Sequence, residues 1–518
     1  MAHQLKTIPE LLQHNSNVIP DELFLMFYEK RYSFGDIDRL SNQVANYFAH
    51  QFGIKKGDHI ALILKNCPEY LFIWFGLAKL GAVMVPINHH IKGDSLQYIL
   101  THSDSKLVIV DAAFLDQLKA INTDLVDIQI IELGDFQAGY ESESIHRQVI
   151  TEVDESDPMS IIYTSGTTGL PKGVILPHYS YINTGMSFRD SMVQATKEDV
   201  LYTCLPLFHC NAQQLSVMGA MLTGCPLALS ERFSASKFWQ EIQYYQATVF
   251  NYIGSILTVL YKQPFSEYEQ NNTVTRTFGG AAPKEIWTEF EERFELKIVE
   301  GYGLTETATV CLCNPKGNIR VGSIGKPLPN VDVKIVDENE RDVLPGEEGE
   351  IIVKELVPNT IFKGYYKMPQ KTQEVMKGGW FHTGDRGYMD EDGYFYFKDR
   401  IKDCIRYRGE NISSYEIERI VNKHPQVKES AAIGVPSELG EEDVKVVLVV
   451  EDESVFDYVE FIKFCEERMA YYMVPRYIEL RSFLPKTATE RVQKFALRKE
   501  GIGSAWDRVR EGVKLNRK

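Results

Sequence analysis

The chain is short of basic residues and has no uninterrupted hydrophobic run long enough for a membrane span. Its 56 Lys and Arg residues are outnumbered by 72 Asp and Glu residues, which gives a formal net charge of −16. Such a surface repels the phosphates of nucleic acids, so we expect no nucleic-acid partner. The most hydrophobic stretch, residues 70–87, contains Lys79 and two glycines and predicts a buried helix followed by a buried strand. We therefore expect no integral membrane association.

Closely paired cysteines and a leader sequence are also lacking. The eight cysteines form no CxxC pair with a matching histidine spacing, so the sequence does not predict a zinc site. Cys311 and Cys313 are separated by a single residue, and we expect them to have a structural role. The segment MAHQLKTIPELLQHN at the start contains neither a basic leader nor a long apolar stretch. Free thiols and the missing leader together predict a cytoplasmic protein.

The length and composition are those of a globular protein with several domains. The 518 residues leave room for two to four domains at about 150 residues each, and 44% hydrophobic with 25% charged residues is ordinary for such proteins. Helical and extended patterns alternate between residues 28 and 110, which predicts an α/β fold with a mostly parallel sheet. Short strand patterns from about 331 to 399 predict a small β subdomain within a large N-terminal domain, residues 1–400. Residues 401–518 predict a small α+β domain.

The most informative segment is a glycine-rich loop between two predicted strands. Residues 160–174 read SIIYTSGTTGLPKGV, in which three glycines let backbone N–H groups point inward, hydroxyls add donors and Lys172 adds a positive charge. Such a loop can bind a polyphosphate. It is not a Walker loop, because the residues after Lys172 predict a strand where the Walker pattern opens a helix. The predicted phosphate-binding residues of the loop are Thr164, Ser165, Gly166, Thr167 and Thr168.

Together with three later motifs, this loop resembles the signature sequences of the adenylate-forming superfamily. That superfamily includes acyl-CoA synthetases, the adenylation domains of peptide synthetases and beetle luciferases. The later motifs are GYGLTET at residues 301–307, WFHTGD at 380–385, and DRIKD at 399–403 with RYRGE at 406–410. The resemblance covers nearly the whole chain. It implies a large N-terminal domain of stacked mixed sheets and helices with a small β subdomain, and a small mobile C-terminal domain with a hinge near Lys402.

The resemblance also implies a nucleotide site. Tyr302 is expected to offer its ring to adenine and Thr305 its hydroxyl to the α-phosphate, while Glu306 is expected to bind Mg²⁺. Asp385 is expected to lie in a turn and to accept hydroxyl groups of the ribose, supported by Arg400. The other ATP- and AMP-binding residues that the resemblance implies are Gly280, Glu300 and Gly301.

The last motif departs from the pattern of the superfamily. The usual pattern is Pro-Arg/Lys-Thr-x-Thr-Gly-Lys, whereas residues 485–491 read PKTATER, so that Glu490 and Arg491 replace Gly and Lys. The resemblance implies that the usual lysine bridges the substrate carboxylate and the phosphate. Arginine is planar and always protonated, so it can contact both groups, although it is not equivalent to lysine. We interpret Arg491 as a working substitute, and the implied catalytic residues are Lys172, Thr305, Glu306 and Arg491.

The implied reaction has two steps and uses ATP, Mg²⁺ and CoA. A small carboxylic acid and ATP give an acyl adenylate and pyrophosphate, after which a thiol displaces AMP and forms a thioester. The segment LFHCNA at 207–212 offers no carboxylate to pair with a substrate ammonium, which disfavours an amino acid. At branch level the chain is most similar to crotonobetaine/carnitine-CoA ligases and to short- and medium-chain acyl-CoA synthetases. The implied acyl-pocket residues are His209, Asn211 and Gly279.

The thiol acceptor is expected to be CoA, because no carrier domain follows the small C-terminal domain. The resemblance implies that Arg408 and Gly409 contact CoA. Residues 486–518 contain ten Lys or Arg and four Asp or Glu, which indicates either a solvated face or a surface for the CoA phosphates. Two alternative functions stay open: a ligase that loads a carrier protein, and a nucleotide-binding protein that has lost turnover through residues 490–491. A homodimer is possible, because the sequence does not give the oligomeric state.

Overall fold

The computed structural model describes residues 5–121, 128–164, 170–253, 255–400, 404–438, 440–485, 492 and 494–515. The strands of these residues are β1 (Leu23–Phe27), β2 (Lys30–Ser33), β3 (His59–Ile63), β4 (Val83–Pro86), β5 (Ser105–Val110), β6 (Gln129–Glu132), β7 (Pro158–Thr164), β8 (Lys172–Pro177), β9 (Leu201–Thr203), β10 (Leu227–Leu229), β11 (Val249–Ile253), β12 (Arg276–Gly280), β13 (Lys297–Tyr302), β14 (Leu312–Cys313), β15 (Lys326–Pro327), β16 (Val331–Val336), β17 (Gly349–Glu355), β18 (Met376–Lys377), β19 (Trp380–Met389), β20 (Phe395–Arg400), β21 (Cys404–Tyr407), β22 (Glu410–Ser413), β23 (Val427–Pro436), β24 (Glu442–Val450), β25 (Tyr477–Leu480) and β26 (Trp506–Asp507).

The α-helices of the same residues are α1 (Ile8–Val18), α2 (Phe34–Phe52), α3 (Pro68–Leu80), α4 (Gly93–His102), α5 (Leu115–Ala120), α6 (Leu133–Tyr140), α7 (His178–Ser187), α8 (Met218–Thr223), α9 (Phe238–Tyr245), α10 (Ser255–Tyr261), α11 (Glu267–Gln270), α12 (Trp287–Phe294), α13 (Pro369–Val375), α14 (Ser414–Val421), α15 (Tyr458–Arg468) and α16 (Lys494–Glu500). None of the helices in the described ranges is long and apolar enough to cross a membrane.

Two sheets of mostly parallel strands form the large N-terminal part. One has the strand order β6-β5-β3-β4-β7-β8, in which only β7 and β8 pair in an antiparallel manner. The other has the order β15-β14-β13-β12-β11-β9-β10-β1-β2, which is parallel from β13 to β1 and antiparallel at both ends. These sheets confirm the predicted α/β fold with mixed, mostly parallel sheets.

The hydrophobic stretch at residues 70–87 forms the buried helix α3 and the buried strand β4, as predicted. Every residue of α3 is buried, so this helix is apolar on all sides. Its Lys79 is only 2% exposed and pairs with Asp38 Oδ1 at 2.7 Å. Burial lowers the pKa of Lys79 to about 8, although Asp38 opposes that shift.

Helix α2 packs along α3 and has clear end signals. Ser33 Oγ accepts a hydrogen bond from the backbone N–H of Asp36, and the Asp36 carboxylate accepts one from the backbone of Ser33, which together form a capping box. The helix ends at Gly53, whose φ of 62° suits glycine. Ile37, among other apolar residues, lies on the buried face.

The remaining strands form smaller antiparallel sheets and one mixed sheet. One antiparallel sheet has the strand order β16-β17-β19-β18. Strand β20 pairs with β19 as well, also in an antiparallel manner. This sheet confirms the predicted small β subdomain. The C-terminal part contains the β21–β22 hairpin, the sheet β23-β24-β25-β26 and helices α14, α15 and α16, which agrees with an α+β unit. Lys402, the predicted hinge, lies outside the described residues.

Candidate active site

Residues from several of the predicted motifs meet in one cleft. A cavity of about 210 Å³ lies at the carboxyl ends of β7, β12 and β13 and is bounded on another side by the β21–β22 hairpin. The carboxyl ends of parallel strands are the usual position for a ligand in such sheets. The predicted site residues that line the cavity are Thr164, His209, Asn211, Gly279, Gly280, Gly301, Tyr302, Thr305 and Gly409.

Several predicted site residues cannot be compared with this geometry. The predicted residues that lie outside the described ranges are Ser165, Gly166, Thr167, Thr168, Lys402 and Arg491. The side chain of Arg400 is also outside the described part, although its backbone pairs with that of Asp385 in the β19–β20 ladder. The predicted support of Asp385 by Arg400 stays a prediction.

Lys172 and Glu306 are joined by a tyrosine. Lys172 begins β8, and Glu306 lies in a single 3₁₀ turn, Thr305–Thr307. Lys172 Nζ donates a hydrogen bond to Tyr365 Oη at 3.3 Å, and this hydroxyl donates to Glu306 Oε1 at 2.9 Å. The lysine is the first residue of the strand that leaves the glycine-rich loop, and its contact with the phosphates of ATP stays a prediction.

The carboxylate of Glu306 has the chemistry that Mg²⁺ requires. It is an oxygen ligand, 8% exposed, next to Thr305 in the cleft. The described ranges contain no group of three or more His, Cys, Asp and Glu that could hold a metal ion by itself. One carboxylate, with phosphates and water as the other ligands, is a common way for proteins to bind Mg²⁺ with a nucleotide. Glu306 therefore fits a site that is completed by the substrate.

Tyr302 and Asp385 form a buried hydrogen-bonded pair beside the cavity. The Tyr302 hydroxyl donates to Asp385 Oδ2 at 2.6 Å, and Asp385 is 1% exposed. The expectation that Asp385 lies in a turn is wrong, because residues 380–389 form the continuous strand β19. Opposite β17 the register shifts, so that residues 383–385 face the single residue Ile351, and Gly384 has a φ of 73°. Asp385 itself pairs with Arg400 of β20, so the Thr-Gly-Asp segment that resembles a turn is a bulge within the strand.

Glu300 holds the glycine segment that ends β12. Its carboxylate accepts hydrogen bonds from Ala281 N at 2.6 Å and Ala282 N at 3.0 Å, and from the Tyr252 hydroxyl at 2.5 Å. Ala281 has a φ of 64°, an uncommon conformation for a residue other than glycine, which these bonds help to stabilise. Burial raises the pKa of Glu300 to about 7, although the three hydrogen bonds favour the charged form.

Gly279 lets β12 pack closely against β11 at the wall of the cavity. A Cβ atom at this position would lie 2.2 Å from the carbonyl oxygen of Tyr252, a contact that no side chain can make. Tyr252 stands on the neighbouring strand β11 and is also part of the cavity wall. The packing between β11 and β12 therefore requires glycine at 279, and the predicted place of Gly279 in the acyl pocket stays a prediction.

On the predicted acyl side, His209 and Asn211 are fixed by different partners. Asn251 Nδ2 donates to Asn211 Oδ1 at 3.2 Å, and Asn211 begins a stretch of π-helix, Asn211–Val217. Such stretches often occur at functional sites. His209 Nε2 lies 3.1 Å from Glu410 Oε1, which belongs to the C-terminal hairpin. The histidine therefore connects the acyl side of the cavity with the C-terminal part.

The hairpin enters the cleft at Gly409. This residue has a φ of 84°, and a Cβ atom there would lie 2.6 Å from Cγ2 of Ile253. Its N–H donates to Glu441 Oε2 at 2.9 Å. Arg408, predicted with Gly409 to contact CoA, does not line the cavity and places its guanidinium 5.1 Å from the ring centre of Tyr407.

Sequence reasoning missed residues that connect the motifs to one another. These residues are Tyr365, Tyr252, Glu410 and Tyr472, and the last three line the cavity. Tyr472 accepts a hydrogen bond from Asn88 Nδ2 at 3.0 Å. A single tyrosine has no spacing that distinguishes it from a core residue, whereas Glu410 ends the RYRGE motif and could have been identified from its position beside Gly409.

The comparisons with known proteins decide the family. The sequence matches the AMP-binding enzyme family over residues 12–366 and the C-terminal domain of AMP-binding enzymes over residues 416–491. The chain belongs to the AMP-binding enzyme family. A crotonobetaine/carnitine-CoA ligase from Salmonella heidelberg is 33% identical over 483 residues, which covers 90% of this chain and 92% of that protein. The family confirms the adenylate-forming resemblance, and the chain is an AMP-forming acid:CoA ligase.

Two solved structures of one synthetase, with different bound ligands, are similar to this chain. A double mutant of o-succinylbenzoate CoA synthetase from Bacillus subtilis, bound to a product analogue, superposes with a TM-score of 0.83 and 24% identity, covering 95% of this chain and 98% of that chain. The same synthetase in complex with AMP gives a TM-score of 0.68 with 24% identity, over 96% of this chain and 98% of that chain. Both matches show that this AMP-binding enzyme shares the fold of that synthetase.

Proposed function

We propose that this enzyme joins a short- or medium-chain or betaine-type carboxylic acid to CoA, with Mg²⁺ as cofactor and ATP as the source of energy. The observation that carries the proposal is the common cavity of three features: the strand end at Thr164, the segment from Gly301 to Thr305 and the hairpin at Gly409. This reaction needs phosphate-binding, adenylate-binding and thiol-delivering elements in turn, and the three segments proposed for these roles line one cavity.

In the first step the carboxylate of the acid attacks the α-phosphorus of ATP. The bond from that phosphorus to the bridging oxygen of pyrophosphate breaks, and an acyl adenylate forms. Because both reactants are anionic, the enzyme acts mainly by positioning them and by neutralising charge. Lys172 supplies a positive charge on the phosphate side, Thr305 a hydroxyl for the α-phosphate and Glu306 a ligand for Mg²⁺. The metal ion, when bound with ATP, neutralises phosphate charge.

The nucleoside is held by the pair Tyr302 and Asp385. The Tyr302 ring lines the cavity, and the Asp385 carboxylate, bonded to the hydroxyl of that tyrosine, is an acceptor for ribose hydroxyls. Glu300 accepts hydrogen bonds from Ala281 and Ala282 and so holds the backbone of residues 279–282, beside which the adenine and the acyl group are proposed to bind. Arg491 would then contact the carboxylate and the phosphate when its domain turns toward the cleft.

In the second step the CoA sulfur attacks the acyl carbon, the bond to AMP breaks, and the thiol proton is released. We propose that the described arrangement serves this step. Gly409 and Glu410 already bound the cavity, and the higher of the two TM-scores belongs to the synthetase with a CoA product analogue. Adenylation would use the other arrangement, reached by rotation about residue 402.

The acid is proposed from the wall of the cavity and from the relative at 33% identity, whose name includes crotonobetaine and carnitine. His209 and Asn211 present neutral or weakly basic polar groups, and the nearby carboxylate of Glu410 is paired with His209. Among the described residues, this arrangement leaves no carboxylate beside His209 and Asn211 that lacks a partner and could pair with the ammonium of an α-amino acid, which disfavours such a substrate.

A panel of acids tests the proposal. The wild-type enzyme is mixed with ATP, Mg²⁺, CoA and one acid from a set of short, medium, aryl, betaine-type and amino acids, and both pyrophosphate and acyl-CoA are measured. We expect both products from at least one short, medium or betaine-type acid and neither product from amino acids. Pyrophosphate without acyl-CoA would indicate a carrier-protein ligase, and silence across the panel would indicate a nucleotide-binding protein without turnover.

A further inference from the structure

Tyr365 links two charged groups of the proposed adenylation site. Its oxygen accepts a hydrogen bond from Lys172 Nζ at 3.3 Å and its proton is donated to Glu306 Oε1 at 2.9 Å. The ammonium group of Lys172 also lies 4.4 Å from the centre of the tyrosine ring, in cation–π contact. One side chain therefore contacts both the proposed phosphate-binding lysine and the proposed metal-binding carboxylate.

The backbone holds this tyrosine in place. Tyr365 is 5% exposed, forms an isolated bridge with Val174 of β8, and donates its N–H to Thr372 Oγ1 at 2.8 Å. Phe362 N donates to the carbonyl of Glu306 at 2.9 Å. The segment 362–366 is thus bonded both to the strand that starts at Lys172 and to the turn that carries Glu306. Such bonds allow the hydroxyl to be positioned by rigid elements on both sides.

The hydroxyl group suits a bridging role. A phenol is a hydrogen-bond donor and an acceptor at the same time. It remains a donor to Glu306 and an acceptor for Lys172, so it orients both groups without removing the charge of either.

We propose that Tyr365 is a positioning residue for acyl-adenylate formation, which holds the Lys172 ammonium and the Glu306 carboxylate in register for the phosphates of ATP and their metal ion. This inference rests on the roles proposed above for Lys172 and Glu306. It applies to the first half-reaction only, because thioester formation involves neither pyrophosphate nor the metal-bound triphosphate.

The test is the variant Tyr365→Phe with a matched control, Tyr366→Phe. The control removes a neighbouring hydroxyl that donates to Asp104 Oδ2 at 2.7 Å on the exposed side. Two half-reactions are measured separately: ATP–pyrophosphate exchange with the best acid of the panel at several Mg²⁺ concentrations, and acyl-CoA formation from synthetic acyl adenylate and CoA. Melting temperatures of all variants are recorded.

For Tyr365→Phe we expect kcat of the exchange reaction to fall about tenfold and the Mg²⁺ concentration for half-maximal rate to rise severalfold, because a hydrogen bond to a charged group is lost. We expect acyl-CoA formation from acyl adenylate to stay within about twofold of wild type. Tyr366→Phe should leave both half-reactions within about twofold. In the background of Glu306→Gln, Tyr365→Phe should reduce exchange by much less than tenfold, because the two residues act together.

An unchanged exchange rate in Tyr365→Phe would overturn the inference, and so would an equal loss in both half-reactions, which would mean a general structural role. Full additivity with Glu306→Gln would overturn it as well. Failure of the underlying proposal has a different signature: Lys172→Ala and Glu306→Gln would then keep wild-type exchange rates, which would remove the reason for a positioning role at Tyr365.

Discussion

Gly409→Ala should separate the two half-reactions of this AMP-binding enzyme. The substitution has two physical costs. The first is the φ of 84°, which costs an alanine about 1–2 kcal/mol, and this cost is present whether or not the hairpin is docked. The second is the new methyl group, which would lie 2.6 Å from Cγ2 and 2.9 Å from Cδ1 of Ile253. We expect this second contact only in the described arrangement, in which the β21–β22 hairpin packs against Ile253.

The magnitude of the effect follows from that second contact. An extra methyl group in a close-packed region costs about 1–3 kcal/mol, and 1.4 kcal/mol corresponds to about tenfold in an equilibrium. We therefore expect acyl-CoA formation from synthetic acyl adenylate to fall about tenfold in Gly409→Ala. ATP–pyrophosphate exchange should stay within about twofold, because adenylation is proposed to use the other arrangement.

A matched control isolates the clash from the backbone strain. Gly393 has a φ of 79°, and a Cβ atom there would meet nothing within 4 Å. Gly393→Ala should therefore reduce stability without changing either half-reaction. Wild-type acyl-CoA formation in Gly409→Ala would refute the reasoning, as would an equal loss of thioester activity in Gly393→Ala.

Three further outcomes follow from the site. The raised pKa of Glu300, about 7, means that its contribution to stability is present at acidic pH and is lost as the pH rises through 7. We therefore expect Glu300→Gln to lose its stability disadvantage at higher pH: in urea titrations, the difference in free energy of unfolding between wild type and this variant should fall by up to about 3 kcal/mol from pH 5 to pH 8. Asp385→Asn should raise the KM for ATP at least about tenfold and leave the KM for CoA unchanged in steady-state assays, because a carboxylate acceptor for the ribose is lost. Arg491→Ala should lower ATP–pyrophosphate exchange by more than about tenfold while acyl-CoA formation from acyl adenylate persists, whereas a gain of exchange in Arg491→Lys would mark the native arginine as a handicap.

Motif positions allowed much of the site to be predicted from the sequence, because the chemistry of phosphate and adenine demands particular residue types in fixed order. Thr164, Gly301 and Thr305 come together as expected, since each ends or follows a parallel strand and such ends share one edge of a sheet. The turn propensity of Thr-Gly-Asp predicts a turn at Asp385, but sheet pairing with β20 overrides that propensity. Tyr365 could not be found, because its role depends on the distance between two motifs that only the fold brings together.

The contacts between the C-terminal part and the rest of the enzyme include a buried hydrogen bond between Ser95 and Glu416, a ring contact between His90 and Tyr471, and several more exposed polar pairs. Lys423 pairs with Asp94 at an exposed site, where such a pair contributes about 0–1 kcal/mol. Asn88 donates to Tyr472, and the His209–Glu410 pair is partly exposed. Relative motion is the usual expectation for domains joined by a partly polar interface, so we expect this arrangement to be released when the ligand in the cleft changes. On that expectation, one methyl group at Gly409 shifts the equilibrium between the two proposed arrangements.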